Sequence, residues 1–219
     1  MGAFFYARFR AGKAASMAVT ETPFTDVIVA KPKSTTGGLT FGPTTLTIPQ
    51  DATTKLPDGQ KPLGLVSSDG VTLTEDASDE DIFVWGAVKA RKVRSEYSAT
   101  LGAILYSTAN PDTLRAVFGP ENVKVEGKKI SVSHTSAIAP VQNFTVECQD
   151  AGTGTARRFV IPKGQLTVSG DRTLVDASAD GFEVTIEALA DDDGVCYTEF
   201  IEKTDGTTFA TGTTGTSGS

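Results

Sequence analysis

The chain has 219 residues, 39% of them hydrophobic, with a formal net charge of -7 and a pI near 4.8. That length suits one large domain with arms, and the acidic balance excludes nucleic-acid binding through a broadly basic surface. Two cysteines in so long a chain make no disulfide framework and point to reduced thiols in a cytoplasm.

Residues 1–26 read as an N-terminal arm. Phe4, Phe5, Tyr6 and Phe9 form an apolar cluster interrupted by Arg8, Arg10 and Lys13, an order unlike that of a secretory signal. The cluster either packs on the chain's own core or docks on a neighbouring subunit. Residues 27–30 are a short β-branched run, expected as a strand. A long excursion, residues 31–62, follows, with Pro32, Gly37-Gly38, Gly42-Pro43 and the turn signal Pro57-Asp58-Gly59. A loop of that length with little core of its own is expected to use a partner surface, so it is assigned to subunit contacts.

Residues 63–67 are expected as a strand, Ser68-Asp69-Gly70 as a tight turn, and residues 71–74 as its return strand. Residues 75–81 are acidic and turn-like. A long strand then covers residues 82–93, with a bulge or bend at Gly86, and residues 96–106 pair back as a hairpin. Neither parity of residues 87–94 is cleanly apolar, which marks an exposed or interfacial strand. Asn110 caps a helix that Pro111 opens, with Leu114, Val117 and Phe118 as its packing face and Gly119-Pro120 as its end.

The rest reads as strands. Residues 123–125 and 130–132 flank the turn Glu126-Gly127-Lys128. In residues 144–148, Phe144, Val146 and Cys148 should point inward, with Thr145 and Glu147 outward. A Gly-rich loop at 150–155 leads to strands at 157–161, 165–168, 182–188 and 195–201. Residues 207–219 are a low-complexity Thr/Gly/Ser tail. The domain proper is therefore expected at residues 27–206.

Charge is unevenly spread. Residues 171–205 carry a net -9, residues 82–130 a net +4; opposite-sign regions suit either pairing within the fold or contacts between subunits, and taken in isolation ordinary solvated faces are the plainer reading. No catalytic, cofactor or metal signature emerges. His134 stands alone, Gly152-Thr153-Gly154 lacks a dinucleotide fingerprint, and neither acidic loop has calcium-loop spacing. No segment approaches the ~18 apolar residues of a membrane span. One reading from composition is a secreted adhesin or carbohydrate-binding β-sandwich; its requirements, a leader and an aromatic groove, are not met by these residues.

Several short elements, in order and spacing, resemble the major tail proteins, or tail tube proteins, of bacteriophages with long non-contractile tails, particularly those infecting actinobacteria. They are residues 63–72, Val84-Trp85-Gly86, Val93-Arg94-Ser95-Glu96-Tyr97, Asn110-Pro111 leading to Val117-Phe118-Gly119, Arg157-Arg158-Phe159-Val160-Ile161-Pro162-Lys163-Gly164, and Gly181-Phe182-Glu183-Val184-Thr185. A related injection-machine tube protein shares the same fold logic. The resemblance implies a mainly β chain. It would be an antiparallel β-sandwich or partial barrel with one short flanking helix, closing into a β-barrel ring on hexamerisation. Rings would stack into a virion tail tube, assembled in the host cytoplasm, through which viral double-stranded DNA passes without specific binding. Its partners would be further copies of itself, the tape measure protein, and the tail tip and terminator proteins. A DNA conduit should not grip phosphates, so Glu75, Asp79, Glu80, Asp81, Glu183 and Glu187 are candidates to face the lumen. Phe4, Phe5, Phe9, Lys31, Lys33, Lys89, Arg91 and Arg94 are candidates for contacts between subunits.

Overall fold

The computed structural model describes residues 27–35 and 38–209; Phe4, Phe5 and Phe9 and nearly all of the Thr/Gly/Ser tail lie outside them. The chain is mainly β with one short helix. Its strands are β1 (Lys31–Pro32), β2 (Leu39–Gly42), β3 (Lys61–Pro62), β4 (Val66–Val84), β5 (Val88–Leu105), β6 (Val123–Glu126), β7 (Lys129–Val132), β8 (Val141–Asp150), β9 (Thr155–Val168), β10 (Phe182–Leu189) and β11 (Thr198–Lys203). Helix α1 (Pro111–Phe118) lies between β5 and β6.

Nine strands form one antiparallel sheet that forks. Its main path runs β3-β2-β8-β9-β10-β5-β4, with β1 on β8 and β11 on β9. The fork is made by the length of β9. Its first half pairs with β11, from Val160 opposite Thr198 to Thr155 opposite Lys203. Its second half pairs with β10, from Lys163 opposite Leu189 to Val168 opposite Val184. Near the start of the second half stands Gly164, where a Cβ would meet the Phe144 ring at 2.7 Å. Only glycine lets the strand cross over the core there. Buried side chains from both arms of the fork, including Leu39, Phe144, Ile161, Leu166, Val184, Ile186 and Leu101, form a single cluster, so the sheet curls around one core without its end strands pairing.

Helix α1 follows the sequence closely. The Asn110 carboxamide oxygen accepts from the backbone N–H of Asp112 at 2.8 Å, Pro111 occupies the first turn, and the chain leaves through Gly119 at φ 89°. Leu114 and Val117 are buried together with Thr113 and Ala116. The Thr113 hydroxyl donates to the Leu63 carbonyl at 2.8 Å, tying the helix to the entry of β4. Phe118 is half-buried, edge-on to Phe182 at 5.4 Å and to His134 at 4.7 Å. The β6–β7 hairpin turns at Gly127 as expected.

The structure departs from the sequence reading in the β4–β5 region. Residues 63–74 do not form a hairpin. Ser68-Asp69-Gly70 is an irregularity inside one continuous strand, with Val66 opposite Leu105 and Val71 opposite Ala103. The acidic residues 75–81 are strand, not turn: they pair with β5 throughout, with Arg94 opposite Asp79 and Lys92 opposite Asp81. Gly86 is the hairpin turn itself, and residues 88–105 are one strand. Two further differences have a packing cause. Thr145 is buried, not outward, because the excursion covers that face of β8. Residues 27–30 are irregular and tied to the sheet by Val29 N–H, which donates to the Asp150 carboxylate at 3.0 Å.

Candidate functional site

Beyond Thr74, the β4–β5 hairpin leaves the body. Residues 75–84 and 88–97 are exposed on both faces. Ten residues of strand at ~3.3 Å each carry this ribbon roughly 30 Å from the body. β10 pairs with β5 only from Ala99 to Leu105. Among the described residues neither outer edge of the ribbon has a partner strand. At the tip the indole of Trp85 is fully exposed, and the turn needs left-handed backbone at Gly86 (φ 98°) and at Ala87 (φ 57°). The latter is strained for a residue with a Cβ.

Register explains why neither parity of residues 87–94 looked apolar. The pairing slips once after Ser78 and once after Ile82, so a period-two reading loses phase twice. Opposite residues share a face. One face collects Asp79 opposite Arg94, Asp81 opposite Lys92 and Phe83 opposite Lys89. Its charges form a ladder: Lys89 to Asp81 at 2.6 Å, Lys92 to Asp79 at 2.7 Å and Arg94 to Asp79 at 3.2 Å. Hydrogen bonds from Lys92 and Arg94 hold the Asp79 carboxyl below the usual carboxylate range, and Asp79 in turn raises Lys92. The other face pairs Glu80 with Val93, Ile82 with Arg91 and Val84 with Val88. Ile82, Val84, Val88 and Val93 thus line up as an exposed apolar stripe.

The same alternation continues into the body. The ladder face becomes the core face, where Leu101 and Ala103 are buried. The stripe face becomes a polar sheet surface with Thr72 opposite Gly102, Thr74 opposite Thr100, and Thr185 of β10 opposite Gly102 from the other side. Glu183 and Glu187 project from this surface and are exposed.

The six acidic candidates therefore divide. Glu80, Glu183 and Glu187 share the polar face, together with Asp76, which the sequence reading passed over. Glu75, Asp79 and Asp81 lie on the opposite face. Asp79 and Asp81 are engaged by the ladder, and Glu75 accepts the Tyr197 hydroxyl at the ribbon's base. That bond to a carboxylate, with burial second, pushes the Tyr197 phenol up to about 12. Burial and the Glu75 charge also raise Tyr97.

Of the basic candidates, Lys89 and Arg94 spend their charge inside the ribbon. Arg91, on the stripe face, is in no ion pair among the described residues. Lys31 lies exposed in β1, and Lys33 reaches Glu147 at 3.2 Å.

Arg158 was given no role from sequence beyond its place in the element at residues 157–164. It is fully buried. It pairs with Glu147 at 2.7 Å and donates to the Asp51 and Thr54 carbonyls, both at 2.6 Å. These carbonyls belong to the long excursion. The Asp51 carboxylate organises its turn by accepting the Thr53 and Thr54 N–H groups, and the backbone bond from Thr54 does most to lower its pKa. Ala52 N–H donates to Glu202 at 3.1 Å, and the Asn143 amide to the Pro43 carbonyl at 2.6 Å. Residues 43–62 are thus pinned across their own sheet. No local pattern announces this, because a lone Arg in a strand looks like any solvated charge until its partners, ~100 residues away, fold over it.

Cys148 and Cys196 are free thiols, and burial raises Cys148. Among the described residues no group of His, Cys, Asp or Glu is arranged to hold a metal, and no helix is long and apolar enough to cross a membrane. Comparison with curated proteins gives no match. A family model described as phage tail tube protein matches residues 25–212.

Proposed function

The chain belongs to the phage tail tube protein family, and on that premise we propose that its copies close into hexameric rings through the β4–β5 ribbon. The rings stack into the conduit for DNA ejection. The observation that carries this reading is the ribbon. A two-stranded ribbon with both faces and both edges in water is marginally stable at best. Its apolar stripe and open edges are supplied for by a neighbour's sheet, which also removes the edge hazard of a free strand. Arg91, in no ion pair among the described residues, is available to meet a carboxylate of the next subunit, whose residues 171–205 carry the chain's acidic excess.

The face bearing Asp76, Glu80, Glu183 and Glu187 is assigned to the lumen. Its small threonine and glycine side chains leave few groups to catch a passing duplex. Its carboxylates repel phosphates, so the counterion-linked grip of a basic wall is avoided. The family places the protein in the virion; assembly in the host cytoplasm, with the tape measure, tail tip and terminator proteins as further partners, belongs to the same proposal.

Electron microscopy of the purified chain tests the reading. Rings or tubes of uniform bore are expected; a monomer at every concentration overturns it. In a tube reconstruction, carboxylates 183 and 187 on the outer wall would remove the lumen assignment while leaving the ring intact.

A further inference from the structure

The fork in the sheet leaves a seam open between the free edge of β4 and the beginning of β1. It widens into a cavity of about 700 Å³ whose apolar wall includes Leu39, Val66, Val71, Leu73, Val146 and Phe159. Cys148 lies in the same wall, and Asp69 on its rim. Val66, Val71, Leu73, Phe159 and Cys148 are only half-buried although they pack against the main core. The core cluster therefore continues to a surface that nothing among the described residues covers.

We propose that residues 1–26 fold back into this seam of their own subunit and seat the aromatic cluster Phe4, Phe5 and Phe9 against that wall. Three observations place this occupant there. First, the chain enters the described fold at the seam. Ala30 and Pro32 are themselves lining residues, Val29 is fixed to Asp150, and Lys31 pairs with Gln149. The preceding residues start beside the cavity, so a tethered segment meets it at high effective concentration. A segment of that length, at up to ~3.3 Å per residue, reaches every part of the wall.

Second, the segment has the side chains that the seam lacks. Four of the chain's 12 phenylalanines, Phe4, Phe5, Phe9 and Phe24, fall in its first 26 residues, and aromatic rings fill apolar clefts with large buried area. Third, the basic residues among them, Arg8, Arg10 and Lys13, have no acid nearby in sequence, and Asp69 on the rim offers one. This assigns the phenylalanines to their own subunit's core rather than to a neighbour, the two readings that the sequence left open.

Cys148 is a built-in reporter. In the full-length chain carrying Cys196→Ser, cysteine is introduced singly as Phe4→Cys, Phe5→Cys or Phe9→Cys, with Ser217→Cys as the control in the opposite tail. The freshly purified, unpolymerised protein is oxidised and resolved by non-reducing electrophoresis and mass spectrometry. Because a disulfide requires Cα atoms within about 7 Å, an intrachain bond to Cys148 from at least one of the three positions, several-fold above the control, is the expected result. Bonds only between chains, or none above the control, overturn the proposal. A second measurement avoids cysteine variants. Deleting residues 1–16 should raise the binding of an apolar fluorescent dye several-fold; equal binding with and without the segment overturns it. Both readouts are taken before assembly, so they can fail while rings form normally, and the converse.

Discussion

The two halves of the β4–β5 hairpin share strands and hydrogen-bond ladder and differ in everything else. Near the body, Leu73 lies opposite Leu101 and Val71 opposite Ala103, with Leu101 fully buried. Further out, Asp79 lies opposite Arg94 and Ile82 opposite Arg91, all exposed. Both halves are paired strand to strand, the far half with two slips of register. The difference is therefore one of burial: the near half is stabilised by the core beneath it, the far half, among the described residues, by its own pairing and charge ladder alone. Ladder hydrogen bonds set where residues sit; apolar contact decides whether they stay there.

The comparison can be broken from the body side first. Arg158→Ala removes the fully buried partner of the Arg158–Glu147 pair and should cost about 3–5 kcal/mol. Denaturant unfolding would measure the loss, and hydrogen exchange should show residues 43–62 opening first. Leu101→Ala in the near half should cost about 2–5 kcal/mol. The paired substitution Val84→Ser with Val88→Ser in the far half should leave monomer stability within about 0.5 kcal/mol and yet abolish rings in electron micrographs. Equal destabilisation by the near and far substitutions would mean the ribbon is supported within its own subunit after all.

Smaller effects sharpen the contrast. Ala87→Gly relieves left-handed strain of about 1 kcal/mol at the tip. Slower amide exchange at the tip is expected, with no change in the body.

The pH response should be local too. The folded pKa of Asp79 is depressed, so its contribution is complete above the unfolded value of 3.8 and is lost as pH falls through the lower folded value. The ribbon register should hold to about pH 4 and loosen below it, seen by carboxylate NMR shifts. At the other extreme Tyr197 is raised from 10.0 to about 12. Its tie to Glu75 is complete below pH 10 and is lost as pH rises toward 12, which phenolate absorbance would follow.

Much of this was legible in the sequence where the causes are local. The Asn110 cap, Pro111 and the Leu114-Val117-Phe118 spacing specify a helix with no help from elsewhere. Glycine at 127 specifies the β6–β7 turn. In β10 the alternation of Phe182, Val184, Ile186 and Ala188 with Glu183, Thr185 and Glu187 fixed which side chains would be buried, because one residue's phase sets the next. The acidic ladder misled for the opposite reason. Residues 75–81 look like a turn when read alone, since five carboxylates have no reason to extend together until Lys89, Lys92 and Arg94 lie across from them.

The sequence by itself determined the class of the chain: antiparallel strands, one capped helix, and a family whose short elements recur in order. Those depend on propensities and spacings a few residues long. Only the tertiary structure decided which carboxylates share a face, that Arg158 holds the long excursion, and that half of one hairpin stands free of the body. Two register slips in the far half of β4–β5 shift the inside-outside phase, and hydrogen bonds from the buried Arg158 reach carbonyls about a hundred positions away. Both are consequences of long-range pairing, which no window along the chain contains.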